Sequence, residues 1–104
     1  MSLSTHVLDA AKGLPAVGVG VRLERRAADG GWAPLAEART DADGRIRDWD
    51  AEPGAGIHRL VFDTAGLSEF YPEVAVAFTV TDPEGHVHVP LLISPFAYST
   101  YRGS

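Results

Sequence analysis

Apolar and polar residues alternate with a period of two along most of this chain, and glycine, proline or aspartate interrupts the pattern at short intervals. That feature leaves few folds open. Val17, Val19, Val21 and Leu23 alternate with Gly18, Gly20, Arg22 and Glu24, and Val74, Val76, Phe78 and Val80 alternate with Ala75, Ala77, Thr79 and Thr81. Successive side chains on a strand point to opposite faces, so each stretch reads as a strand with one buried face. Leu3 to Leu8 forms a first strand, with His6 on the face opposite Val7, and Asp9 to Pro15 reads as a connection. Ala28-Asp29-Gly30-Gly31 is a hairpin signal, and Trp32 to Arg39 returns as its partner strand. Thr40-Asp41-Ala42-Asp43-Gly44-Arg45 and Asp82-Pro83-Glu84-Gly85 are turn sequences, and Asp50 to Gly56 is a loop. Ile57 to Asp63 is a further strand, and Tyr71-Pro72 opens another. Thr64 to Glu69, which contains Gly66, has room for at most one short helical turn. Roughly eight short strands joined this way predict an all-β fold, a two-sheet antiparallel β-sandwich. At 104 residues it is expected to be a single domain over 1–104.

Charge and composition remove several function classes. The net charge is −5, with acids spread along the chain, so no basic stripe offers itself to nucleic acid or an anionic membrane surface. There is no cysteine, hence no disulfide, thiolate metal site or thiol nucleophile. No apolar run is long enough to span a bilayer. Met1 to His6 lacks the basic start and apolar segment of a signal peptide, so the expected location is cytoplasmic. Trp32, Trp49, Phe62, Phe78 and Phe96 read as core or interface, and Arg25-Arg26 as a solvated face.

The C-terminal stretch is unusual for a chain end. Gly85 to Leu92 alternates as a strand, with His86 and His88 on one face and Val87, Val89 and Leu91 on the other. The chain turns at Ser94-Pro95 and continues as a second strand to its last residue. Tyr101, Arg102, Gly103, Ser104 and the terminal carboxylate crowd hydrogen-bonding groups together, and the ending is expected to belong to a site. On the residues alone, His6 is an ordinary strand histidine and Arg45 a solvated turn residue, with Arg47 two positions on as its competitor. His86, His88 and His6 would also supply three nitrogens for a zinc ion open at its fourth position. Against that, no spare acid is evident to orient the rings.

Taken together, Leu3-Ser4-Thr5-His6-Val7-Leu8-Asp9, Asp43-Gly44-Arg45, His88-Val89-Pro90-Leu91-Leu92, Ser94-Pro95 and Tyr98-Ser99-Thr100-Tyr101-Arg102-Gly103-Ser104 resemble the motifs of the 5-hydroxyisourate hydrolases. These are the transthyretin-related enzymes of urate breakdown; transthyretin, the hormone carrier of the same fold, lacks the Tyr-Arg-Gly-Ser ending. The resemblance covers nearly the whole chain. It implies a transthyretin-like sandwich and hydrolysis of 5-hydroxyisourate to 2-oxo-4-hydroxy-4-carboxy-5-ureidoimidazoline, without cofactor or metal. It implies catalytic roles for His6, Arg45, His88 and Ser104, and substrate binding by Arg45, Tyr101, Arg102, Gly103 and Ser104. His86 falls outside the core motif, as a neighbour. The family forms homotetramers with a channel between dimers, so the site is expected at the dimer–dimer interface; exposed edge strands rich in Leu, Ile, Phe and Tyr point the same way. Thr64 to Tyr71 is shorter than the family's connection, which often holds a helix, and Ala97 replaces a common Gly. Two rivals stand beside the hydrolase: a transthyretin-like small-ligand carrier and a purely structural sandwich module.

Overall fold

Nine strands and no helix make up the computed structural model, which describes residues 2–104. They are β1 (Ser2–Asp9), β2 (Leu14–Pro15), β3 (Gly20–Arg26), β4 (Trp32–Arg39), β5 (Arg45–Ile46), β6 (Gly56–Asp63), β7 (Glu73–Val80), β8 (His86–Ser94) and β9 (Ala97–Thr100). One sheet runs β2-β1-β8-β9 with β5 also paired to β1; the other runs β4-β3-β6-β7. The two-sheet β-sandwich expected from the alternation is thus present. Every pairing is antiparallel except that of β1 with β8, which is parallel. A parallel pair needs a long crossover, and here the crossover includes the entire second sheet.

The core is the inward row of each strand. Leu3 and Val7 from β1, Val21 and Leu23 from β3, Leu60 and Phe62 from β6, Val74 from β7, and Val89, Leu91 and Ile93 from β8 form one buried cluster. Each such side chain contributes about 1.5–3 kcal/mol on burial. Buried hydroxyls tie the connections to this core: Thr5 donates to the Val89 carbonyl, Thr40 to Ala16, Thr64 to Tyr71 and Ser68 to Pro95. Of the aromatic residues expected in the core or an interface, Phe62 is in the core, and Trp49 and Phe78 pack against it. Trp32 instead lies under the guanidiniums of Arg26 and Arg59, and Phe96 is 71% exposed. No helix among the described residues is long and apolar enough to cross a membrane.

Two local expectations change, and a third holds. The strand through Val17 begins only at Gly20: Thr40 accepts from Val19 N–H and donates to the Ala16 carbonyl, and Gly18 turns at φ 76°, leaving Val17 exposed. Gly18 N–H donates to the Thr40 carbonyl, which closes that turn. The last strand ends at Thr100 rather than at the final residue. In the ladder that joins Leu92 to Ser99 and His88 to Gly103, residue 90 would donate to Tyr101, and Pro90 has no N–H. The segment from Thr64 keeps one turn, closed by Leu67 and Ser68 N–H on the Thr64 carbonyl.

Candidate active site

Strand geometry supplies the first half of the site. Because Leu3, Thr5 and Val7 point into the core, Ser2, Ser4 and His6 point out of the five-stranded sheet. The parallel register sets Ser2 against His86, Ser4 against His88 and His6 against Pro90. Two histidines on β8 therefore share an outer face with the histidine on β1.

Arg45 arrives on the other side of β1, where β5 pairs His6 with Arg45 and Thr5 with Ile46. The turn before it explains the aspartates and the glycine. Asp41 Oδ1 accepts from the N–H groups of Asp43 and Arg45, at 2.8 and 3.0 Å. Those bonds, that from Arg45 first, hold the Asp41 carboxyl below its ordinary value. Gly44 has φ 75°, and a Cβ there would meet the Val7 carbonyl at 2.6 Å and Pro15 Cβ at 2.9 Å. Only glycine fits, and its carbonyl accepts from Val7 N–H at 2.7 Å. The Asp-Gly-Arg turn is thereby pinned to β1, with Arg45 beside His6.

The C-terminal residues close the other side. Gly103 N–H donates to the His88 carbonyl at 2.9 Å, and the bare Cα of Gly103 lies against the His88 ring. A side chain at 103 would overlap His88 Cδ2. Ser104 follows and lines an open cleft of about 300 Å³ together with Ser4, Thr5, Arg45, Arg47, His86 and His88. His6 adjoins this cleft through Arg45. Ser4 Oγ stands 2.7 Å from His88 Nδ1, which leaves Nε2 as the nitrogen without a protein partner among the described residues.

Electrostatics favour neutral imidazoles here. Burial, and then the Arg45 charge, push both His6 and His88 below 6.5. The Asp43 carbonyl and the Asp41 and Asp43 carboxylates partly oppose this at His6. Two neutral rings beside a fixed cation can take a proton from water and stabilise the negative charge that follows. Among the described residues, no three His, Cys, Asp or Glu side chains gather closely enough to hold a metal ion.

The structure thus brings together His6, Arg45, His88, Gly103 and Ser104. It does not bring Tyr101 and Arg102 to them. Those two line a separate cleft of about 320 Å³ with Val76, Phe78, Val87 and Val89. Besides Thr5, which is buried toward the core, three cleft residues carried no assigned role in the sequence. Arg47 stood only as a competitor to Arg45, His86 as a neighbour, and Ser4 as part of a motif. Ser4 could have been found only through the β1–β8 register.

The fold has solved counterparts named as a 5-hydroxyisourate hydrolase and as transthyretin. A Klebsiella pneumoniae 5-hydroxyisourate hydrolase superposes with a TM-score of 0.84 at 39% identity, covering all of both chains. A sea bream transthyretin solved with thyroxine gives 0.86 at 38% identity, covering 97% of this chain and 93% of that one. In sequence, a Caulobacter vibrioides 5-hydroxyisourate hydrolase is 49% identical over 114 residues, 98% of this chain and 97% of its own. The model of the HIUase/Transthyretin family matches residues 3–103. With identity at that level over nearly the full length, and with the sandwich to match, the chain belongs to the HIUase/Transthyretin family.

Proposed function

We propose that this protein is a hydrolase that opens 5-hydroxyisourate to 2-oxo-4-hydroxy-4-carboxy-5-ureidoimidazoline in urate breakdown, with His6, Arg45, His88 and Ser104 as its catalytic set. The observation that carries the reading is the convergence of His88, Arg45 and Ser104 on one cleft, with His6 paired to Arg45. Relatives named as 5-hydroxyisourate hydrolases support it. The fold alone does not, since transthyretin superposes equally well. A carrier of apolar rings has no use for two imidazoles and a guanidinium on its binding face.

In this mechanism a neutral histidine takes a proton from water as the water oxygen bonds to a ring carbonyl carbon. The carbonyl electrons move to its oxygen, where the fork of Arg45 donates hydrogen bonds. Collapse of that oxyanion breaks the carbon–nitrogen bond, and the imidazolium returns its proton to the departing nitrogen. His6 and His88 act on one water as a coupled pair. Ser104 donates a hydrogen bond to the substrate, and Gly103 allows the approach.

The reading extends to assembly. β7 and β9 end their sheets on the same side with free edges, and Phe70, Phe96 and Tyr98 are exposed beside them. Edge pairing with a second copy would cover these, and stacking of two such dimers would enclose the outer face that holds the site, as a homotetramer. Tyr101 and Arg102 then serve at the rim of the enclosed channel. A cytoplasmic location accords with the reading.

The test follows ultraviolet absorbance as 5-hydroxyisourate, generated in place from urate by urate oxidase, decays in the presence of a chelator. Decay faster than the spontaneous rate supports the hydrolase. A spontaneous rate, with tight binding of planar aromatic ligands, supports the carrier instead.

A further inference from the structure

Four polar side chains on the outer face of the five-stranded sheet form one unbroken hydrogen-bonded line that the mechanism above leaves unused. Ser2 Oγ lies 2.5 Å from His86 Nδ1, His86 Nε2 lies 3.2 Å from Ser4 Oγ, and Ser4 Oγ lies 2.7 Å from His88 Nδ1. The line is a product of register: β1 and β8 run parallel, so serines and histidines two apart on each strand interleave on one face. It begins at the half-buried ring that lines the cleft and ends at His86 and Ser2, both exposed.

We propose that Ser4 and His86 are positioning residues that conduct a proton between His88 and solvent. The inference rests on the hydrolase reading. Each serine hydroxyl has one proton, so the line has two senses. In the first, His88 Nδ1–H donates to Ser4, Ser4 donates to His86 Nε2, and His86 Nδ1–H donates to Ser2. His88 Nε2 is then bare and faces the cleft as a base. When Nε2 takes a proton from water, the Nδ1 proton of His88 passes to Ser4 Oγ, and the former Ser4 proton passes to His86 Nε2. The Nδ1 proton of His86 leaves to solvent beside Ser2. The line then stands in its second sense, with His88 neutral and Nε2–H poised to protonate the departing nitrogen. Reversal draws one proton back from solvent.

The charges around His88 give the relay its purpose. Burial, then Arg45 on β5, and after them His6 on β1 and His86 on β8 disfavour a cation at His88, against a hydrogen bond to the Ser4 backbone that favours it. Arg47 lines the same cleft. Exporting the proton along the line removes the positive charge from this neighbourhood while keeping the base usable.

Ser4→Ala breaks the line, Ser4→Thr keeps its hydroxyl, and His86→Ala removes the outer ring. Ser4→Ala and His86→Ala are expected to lose roughly tenfold or more in kcat, with KM near that of the unaltered protein. Ser4→Thr should recover most of the loss, and added imidazole should raise kcat of His86→Ala alone. The two nitrogen-15 shifts of His88, read by NMR without substrate, should report a changed tautomer ratio in Ser4→Ala. Unaltered kcat and pH profile in both alanine variants, or an unchanged tautomer ratio, would overturn the relay while the parent protein remains a hydrolase. A parent protein that leaves the decay of 5-hydroxyisourate at its spontaneous rate overturns the hydrolase reading and, with it, this use of the line.

Discussion

Substituting Gly103 by alanine places a methyl group where the His88 ring lies. Built on the existing backbone, that Cβ overlaps His88 Cδ2 and stands 3.0 Å from Cγ and 3.3 Å from Cβ. Two relaxations are open. The ring can leave its rotamer, at about 0.5–1.5 kcal/mol, and weaken its contact with Ser4. Alternatively residues 103–104 can swing away, losing the bond from Gly103 N–H to the His88 carbonyl, worth about 1 kcal/mol. Either way the stability cost stays near 1–2 kcal/mol, a fall in Tm on the order of 10 °C for a domain of this size. Activity should suffer more, because a displacement of about 1 Å in a catalytic group can cost 10²-fold. That loss corresponds to about 2.7 kcal/mol of barrier. The assay is kcat/KM from the decay of 5-hydroxyisourate at 25 °C, beside calorimetry of the same preparation. A folded Gly103→Ala protein with kcat/KM within about twofold of the parent would refute the argument, given that a tenfold change is only about 1.4 kcal/mol. The double variant with His88→Ala checks the cause: without the ring, the methyl should cost little stability.

Gly44→Ala should show the opposite balance. Its Cβ would meet the Val7 carbonyl and Pro15 inside the fold, and at φ 75° it is strained as well, so a loss of about 2–4 kcal/mol is expected in denaturant melts. His6→Ala and His88→Ala should each lower kcat by about 10²–10⁴ with little change in Tm, because both rings stand on the outer face; measured kcat near the parent value would remove that residue from the mechanism. Both histidines are held below 6.5 by burial first and by Arg45 second, so the acid limb of kcat/KM should lie below pH 6.5. Arg45→Gln, read from the same profile, should move that limb to higher pH as well as reduce the rate. The same shifts bear on stability: the unfolded chain takes up these protons first, so their contribution is full above about pH 6.5 and declines as pH falls from there toward the folded values. Urea melts across that window check the sign.

Much of this protein is determined by its sequence read locally. Strand alternation sends His6 away from Val7 and puts His86 and His88 on one face, because a period of two is a property of the backbone and needs no knowledge of partners. The turn at Asp41 to Arg45 is equally local: an aspartate that accepts from N–H groups two and four residues on, and a glycine that alone tolerates the left-handed conformation. The resemblance to family motifs suggested roles for His6, Arg45, His88 and Ser104 that no spacing could. Tertiary structure decided which strands meet and in what register. The parallel pairing of β1 with β8 sets Ser4 beside His88 across 84 residues, and nothing in either segment announces the other. The same holds where β9 ends, since the missing N–H of Pro90 matters only once Tyr101 lies opposite, and where Tyr101 and Arg102 turn toward a different cleft. The physical reason is common to these cases. Side-chain direction follows from two dihedral angles per residue, whereas register is chosen by the packing of two sheets over one shared core.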